Sequence, residues 1–369
     1  MAKYPATLHD IAKALRISIG TVHRALHDRP DVSPVTKARV LQMARALGYR
    51  PNLAARYLSS KQTLRISVNT LRGTTSFWDE VRAGISEEAG ALPLGNVEIE
   101  FRTYPHIGAG EEEAFAAALH EKVNGIITFP SNPQTLRPWI RRASEASIPT
   151  VCVATDAPNS GRLGLVAVDT LASGSVAADL MGRFLGERKG PVAITLFDMA
   201  ITEHAEKYAA FERTLRSLYP QLHPLKPVED HGLEEKAYSK CRKLFAEHPN
   251  LCGVYVTTED SIPALNAARD AKLLPGLTII TTDLFPELVP HIRCGTVAAT
   301  IYQRPRAQGR RAFRMLHAFL TDGSNSSPQV TLAPHLVMRG NLDFFLQRMS
   351  LEFVKESRGN SLALPLPEA

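Results

Sequence analysis

Arg24 stands within a short amphipathic stretch, Ile19-Gly20-Thr21-Val22-His23-Arg24-Ala25-Leu26, that follows a potential capping residue, Ser18. If that stretch is a helix lying in a DNA major groove, Ile19, Gly20 and Arg24 point outward, and the Arg24 guanidinium can fork onto guanine O6 and N7. The hydroxyls of Thr7, Ser18 and Thr21 and the ring of His23 suit phosphate oxygens instead, contacts that set register without reading sequence. A second set of polar residues closes short apolar runs farther along: Asp156, Asp169, Asp283 and Gln303, with His204 and Lys207 near the start of a helical pattern. Polar groups at strand ends are where open α/β sheets bind small ligands. An Asp at such a place caps the next helix more often than it holds a ligand, which lowers the weight of Asp156 and Asp169.

The elements that must carry the first set are three short helices. Thr7 can cap the first, with Asp10 in its opening turn and Leu8, Ile11, Ala12 and Leu15 at core spacing. A turn through Arg16-Ile17 leads to the second helix, whose inward face is Val22, Ala25 and Leu26. Ser33-Pro34 opens a third, with Val35, Ala38, Val40, Leu41 and Ala44 inward, and Gly48-Tyr49 stops it. This is a helix-turn-helix pattern. Its charge agrees: residues 1–61 hold eleven Lys/Arg against three Asp/Glu, whereas the remainder holds 32 against 34. A basic module on a near-neutral body points to a polyanion as that module's partner.

From residue 64 onward β-rich runs alternate with helical patterns: LRISVNT, VEIEFRTY, GIITF, TVCVA, LVAV, PVAITLF, GVYVTT, LTIITTD and VAATIYQ are each followed by an amphipathic stretch or a turn. Such alternation builds parallel sheets covered on both faces, and 369 residues exceed what one core organises. The segment GAGEEEA lacks the third glycine of a phosphate cradle and carries three carboxylates that repel phosphate. GxSxG, HExxH and GxxxxGK[ST] are absent, so no enzyme is indicated, and no cofactor or metal is expected. Cys152, Cys241, Cys252 and Cys294 form no CxxC pair and read as buried thiols of a reducing compartment. The opening residues lack the apolar stretch of a signal peptide, and no later run is long enough to span a bilayer, so a cytoplasmic protein without membrane contact is expected.

The segments TLHDIAKALRISIGTVHRAL, VSPVTKARV and LGYRPNLAARYL resemble, without gaps over about sixty residues, the DNA-binding head of the lactose-repressor (LacI) family. The body resembles the periplasmic-binding-protein-like effector domain that follows that head. The resemblance implies a multidomain chain: an all-α helix-turn-helix domain at 1–50, a hinge helix and linker at 51–62, an effector-binding and dimerisation domain at 63–342, and a tail at 343–369. The body would be two doubly wound parallel-sheet lobes crossed three times by the chain, lobe one at about 64–160 plus 296–322 and lobe two at about 163–292 plus 325–341.

The resemblance also assigns residues. Asn52 and Ala55 face the minor groove and Leu58 is the wedge that intercalates when two hinge helices pair on DNA. Phe77 and Trp78 match an aromatic segment that can stack on a sugar ring, and Arg162 matches a guanidinium that forks onto ligand oxygens. Asp283 coincides with a contact position, and His204, near the start of a lobe-two helix, and Gln303, at the end of VAATIYQ, are further effector candidates. Lys207 stands where the family often has arginine. Two departures occur in the head: Arg16 replaces a turn glycine, and Gly20 has no side chain with which to read a base. The implied partners are pseudo-palindromic operator DNA, a second copy of the chain and a small effector, with a sugar or cyclitol first and a nucleobase or other polar metabolite still open. The tail shows no sustained heptad, so a C-terminal coiled coil is not expected.

Overall fold

The computed structural model describes residues 7–26, 31–47, 63–72, 77–92, 96–105, 107–258, 261–324 and 328–353. The chain divides into two compact units, one of residues 1–63 with 317–326 and the other of residues 64–316 with 327–369. Asn52, Ala55 and Leu58, and Ser76 ahead of the aromatic pair, lie outside the described residues.

The head is three helices, α1 (Leu8–Leu15), α2 (Ile19–Leu26) and α3 (Pro34–Ala46). Thr7 and Asp10 form a reciprocal capping box, the Thr7 amide donating to Asp10 Oδ2 at 2.8 Å. That arrangement satisfies backbone groups the first turn cannot pair itself. Ser18 caps α2 through the Thr21 amide at 3.0 Å, and Ser33 caps α3 through the Thr36 amide at 3.3 Å. Ile11, Ala12, Val22, Ala25, Val40 and Ala44 form the core, with Leu8, Leu15 and Leu26 partly buried against it. Val35, expected inside, is 71% exposed, and Ala38 is exposed as well, so the buried face of α3 is Val40 and Ala44. Arg16 holds the α1–α2 turn in the left-handed region at φ 53°, where a side chain costs roughly 1–2 kcal/mol and glycine does not.

Lobe one is a six-stranded parallel sheet in the order β12-β5-β4-β3-β1-β2. Its strands are β1 (Leu64–Leu71), β2 (Val97–Tyr104), β3 (Gly125–Thr128), β4 (Thr150–Val153), β5 (Gly164–Val168) and β12 (Gln329–Leu332). On one face lie α5 (Glu111–His120) and α6 (Pro133–Glu145), contributing Phe115, Leu136 and Ile140 to a core shared with Ile126, Cys152 and Leu165. On the other run α4 (Phe77–Gly90) and α12 (Pro305–Asp322), whose Arg306 forks onto Glu80 at 2.7 and 3.0 Å.

Lobe two centres on β6 (Gly190–Leu196), β9 (Gly253–Val256), β10 (Thr278–Thr282) and β11 (Ala299–Tyr302). The short β7 (Leu222–Pro224) and β8 (Val228–Glu229) pair with β6, and β13 (His335–Val337) runs antiparallel to β11. Helices α7 (Thr170–Leu185) and α8 (Thr202–Leu218) cover one face. The other face is covered by α9 (Glu234–Glu247), α10 (Ile262–Asp270), the short α11 (Val289–Arg293) and α13 (Leu342–Phe353). Gly174 lets α7 and α8 cross closely: a Cβ there would stand 2.2 Å from the Lys207 carbonyl oxygen, so this glycine sets how deep α8 sits on the lobe.

Three crossings join the lobes, at Asp169, at Gln303-Arg304 and at Ala333-Pro334, all at the carboxyl ends of strands. The number agrees with expectation, but the partition does not. β5 belongs to the sheet of lobe one, Val151 lying opposite Gly164 and Val166 opposite Val330. β11 belongs to lobe two and β12 to lobe one. The chain therefore crosses after β5 and after β11 rather than before them. Residues 342–353 form a helix with Leu342 buried and Phe345 and Leu346 packed on the lobe-two core, so the first part of the expected tail is part of that lobe. Cys152, Cys241 and Cys252 are buried free thiols, whereas Cys294 is exposed. Among the described residues no helix is long and apolar enough to cross a membrane.

Candidate functional site

The surface expected to read DNA lies on α2. Ile19 is 47% exposed at its first turn, an apolar group of the kind that meets a thymine methyl. Gly20 has room for a side chain, since a Cβ would meet only Arg24 Nη1 at 3.4 Å and Ser18 Oγ at 3.7 Å. Glycine costs about 1 kcal/mol against alanine inside a helix, so packing gives no reason for it. Arg24 is exposed; its Nε pairs with Asp31 at 3.0 Å and its Nη2 donates to Thr21 Oγ1 at 3.4 Å. A solvent-exposed pair of this kind contributes about 0–1 kcal/mol, little enough for a guanine to replace it. Thr7 and Ser18 spend hydroxyl lone pairs on caps, yet both stay at the surface. The side chain of His23 lies outside the described residues.

Arg24→Ala is expected to relax sequence preference at one base pair per half-site by ~1–3 kcal/mol, measured by competition among operator variants. A uniform loss on every sequence would make Arg24 a phosphate contact instead.

In the body, the carboxyl ends of lobe two gather a buried polar chain. Lys207, fully buried on α8, donates to Glu203 one turn earlier and to Gln303 Oε1 at 2.9 Å. Gln303, at the second crossing, donates in turn from its side chain to Asp283 Oδ2 at 2.6 Å and from its backbone to Asp283 Oδ1 at 2.8 Å. Gln308 fixes the crossing by donating to the Gln303 carbonyl at 2.9 Å. Asp283 itself holds φ 64°, a left-handed conformation that turns the chain sharply out of β10. His204 Nδ1 lies 3.0 Å from Thr257 Oγ1, beyond the end of β9, with its ring beside Phe197. His204, Asp283 and Gln303 thus share one strand-end region, joined by Lys207 and Glu203.

Their electrostatics follow from burial and pairing. Desolvation works against the Lys207 charge, but Glu203 outweighs it and holds the ammonium above its usual range. Burial pushes Asp283 up to about 6 against the Gln303 donations, and burial lowers His204 to about 4, partly offset by Glu203. The signs are opposite. Asp283 is raised above its ordinary 3.8, so its contribution to stability is full below about pH 4 and is lost as pH rises through about 6. His204 is lowered below its ordinary 6.5, so its contribution is full above that value and is lost as pH falls through about 4. Relative to Asp283→Asn, the wild-type chain should lose up to roughly 3 kcal/mol between pH 4 and 7. Chemical denaturation at several pH values checks this, and a difference that stays flat would mean the carboxylate reaches water.

Lobe one carries the expected aromatic segment. Phe77 and Trp78 begin α4 at the carboxyl end of the sheet, both buried, with Trp78 packed on Phe129 at 4.5 Å between ring centroids. They form a fixed aromatic wall rather than an exposed platform. Arg162 is not brought to this group. It precedes β5, at the amino edge of the sheet, with Nε and Nη2 on the Asp156 carboxylate and Nη1 on the Pro328 carbonyl at 3.1 Å. Its fork is filled by protein, which corrects the expectation of a fork onto ligand. Asp169 serves as the N-cap of α7, accepting from the Ala172 amide at 2.8 Å.

Several polar groups had no sequence signal. Glu203 reads as a surface residue until its i,i+4 lysine is seen to be buried. Glu111, first in an EEE run, is buried and accepts from the Ser131 amide and hydroxyl at 2.8 and 2.6 Å, with burial pushing it up to about 7. Asp198, after β6, Glu229, at the end of β8, and His231 just beyond it come together, their donor atoms within 4.8 Å of one another, a set able to ligate a cation.

A basic three-helix reader on a two-lobed body with polar strand ends defines a DNA-binding regulator with a sensing domain. Residues 7–52 match the bacterial regulatory proteins of the lacI family, and residues 66–324 match the periplasmic binding protein domain. The chain belongs to the LacI family of transcriptional regulators, a family of regulators rather than enzymes. It is 24% identical over 350 residues to the HTH-type transcriptional regulator RegA of Clostridium saccharobutylicum, covering 90% of this chain and 98% of that one. It is 26% identical over 345 residues to catabolite control protein A of Staphylococcus epidermidis, with the same coverage. The fold matches GanP, a glucose-galactose binding protein from Geobacillus stearothermophilus, with a TM-score of 0.70 and 22% identity over 76% of this chain and 99% of that one.

Proposed function

We propose that the chain is a cytoplasmic, homodimeric repressor whose affinity for a pseudo-palindromic operator is controlled by a sugar or cyclitol held between the two lobes. The observation that carries this reading is the buried chain Lys207–Gln303–Asp283, in which Gln303 is both a polar strand-end group and part of a crossing between lobes. A ligand that engages it touches the element about which the lobes move. The glucose-galactose binding description of GanP supports a monosaccharide-sized, hydroxyl-rich ligand. Lobe closure would alter the spacing and order of paired hinge helices, provided the ligand binds one conformation better, and such coupling is typically ~1–3 kcal/mol.

A thermal-shift panel of sugars, cyclitols and nucleobases on the full chain tests it, with Asp283→Ala as the control. A ligand at ~100 times its Kd stabilises by about 2.7 kcal/mol. A sugar or cyclitol is expected to raise the melting temperature of the wild type and not of the variant. A shift that survives in the variant would misplace the pocket, and a response to nucleobases alone would overturn the ligand class.

A further inference from the structure

A cleft of about 490 Å³ runs along β5 and β12 to the first crossing and is bounded on the lobe-two side by the first turns of α8. That volume is in the range of small-molecule sites. The charged residues lining it are all acidic: Asp156, Asp169, Glu203 and Glu206. Two of these are matched by cations outside the lining, Asp156 by Arg162 and Glu203 by Lys207. Among the described residues, the other two meet only neutral donors. Asp169 accepts from the Ala172 amide, and Glu206 accepts from the hydroxyl of Thr170, the residue next to Asp169. Thr170 thus brings two uncompensated carboxylates to one stretch of wall. A fifth lining residue, Thr155, is 97% buried, and its hydroxyl has no hydrogen-bond partner among the described residues. Burying a hydroxyl without a partner is costly, so a ligand oxygen that reaches it is favoured.

We propose that the effector is a polyhydroxylated molecule bearing a protonated amine, an amino sugar or aminocyclitol by class, with its ammonium at Asp169 and Glu206 and a hydroxyl at Thr155. The inference rests on the reading of the body as a sugar or cyclitol sensor and narrows its ligand; the cleft meets the buried Lys207–Gln303–Asp283 chain through Glu203, which pairs with Lys207. An ammonium brings three donors and a positive charge to a wall that has acceptors and negative charge. A neutral sugar would strip water from the same two carboxylates and return no charge.

The test uses matched pairs on the full chain at pH 7 by isothermal titration: glucosamine with glucose, galactosamine with galactose, mannosamine with mannose, and scyllo-inosamine with scyllo-inositol. In the pair that binds, the amine is expected to have at least a tenfold lower Kd than its neutral parent. Asp169→Asn keeps a good helix cap and Glu206→Gln keeps an acceptor for Thr170, so each should remove most of that advantage, with circular dichroism to verify the fold. If neutral parents bind as tightly as their amines, the inference is overturned and the sugar reading stands. If the advantage survives in both variants, the amine is not held by this wall and the inference is likewise overturned. If no member of any pair binds, the sugar reading fails and the inference with it.

Discussion

Lys207→Met should lower the melting temperature of the body by on the order of 10 °C. The ammonium is fully buried and makes two hydrogen-bonded contacts, to Glu203 and to Gln303. Methionine fills nearly the same volume but leaves the Glu203 carboxylate, 11% exposed, without its cation. Breaking one half of a buried pair costs about 3–5 kcal/mol, more than the pair itself contributes, because the remaining charge is stranded. For a domain of this size that converts to a shift of several degrees per two kcal/mol. The double variant Glu203→Gln with Lys207→Met should recover much of the loss, since both charges then leave together. Differential scanning calorimetry on the three variants decides it. A single variant that melts within about 2 °C of wild type would mean that Lys207 reaches solvent in the ligand-free protein.

Leu58→Ala should weaken specific operator binding by about a hundredfold while leaving effector affinity unchanged. The expectation comes from the hinge sequence PNLAARYLSSK, which is too short to hold a helix unaided. An apolar wedge at the minor groove kinks DNA, and its contacts offset an unstacking cost of a few kcal/mol. Alanine retains helix propensity but cannot fill the opened base step, so the loss should appear on operator DNA and not on random sequence. Fluorescence anisotropy against both DNAs separates the two. Unchanged operator affinity would remove the hinge assignment, and an equal loss on random DNA would point to a general defect of the head.

The head was the most legible part of the molecule. Its helices are local, and each opens on a side chain that satisfies its own orphan amides: Thr7, Ser18 and Ser33. Even the departure at Arg16 declared itself, because only a left-handed residue closes so short a turn. In the body, strand ends could be read and strand partners could not. GLVAV and ATIY are apolar runs that fit either sheet, and only pairing with β4 or β10 decides between them. This is why β5 and β11 were expected in the opposite lobes. Asp283 and Gln303 could be placed at strand ends because they follow their strands whichever lobe holds them. Arg162 misled for the complementary reason. It stands before a strand rather than after one, so the direction of β5 carries it to the edge away from the strand ends, where Asp156 takes its fork. Glu203 and Lys207 show a further limit: an i,i+4 ion pair on a helix is ordinarily solvated, and only the close crossing at Gly174 buries this one.

Occupancy of the body is expected to change affinity for DNA. The direct measurement takes the full chain on an operator selected from random DNA and follows anisotropy with and without a sugar or cyclitol that binds the body. Typical coupling of ~1–3 kcal/mol predicts a change in operator Kd of roughly 5- to 150-fold, absent in Asp283→Ala. An operator Kd that stays the same at saturating ligand, with both partners bound at once, would contradict the account.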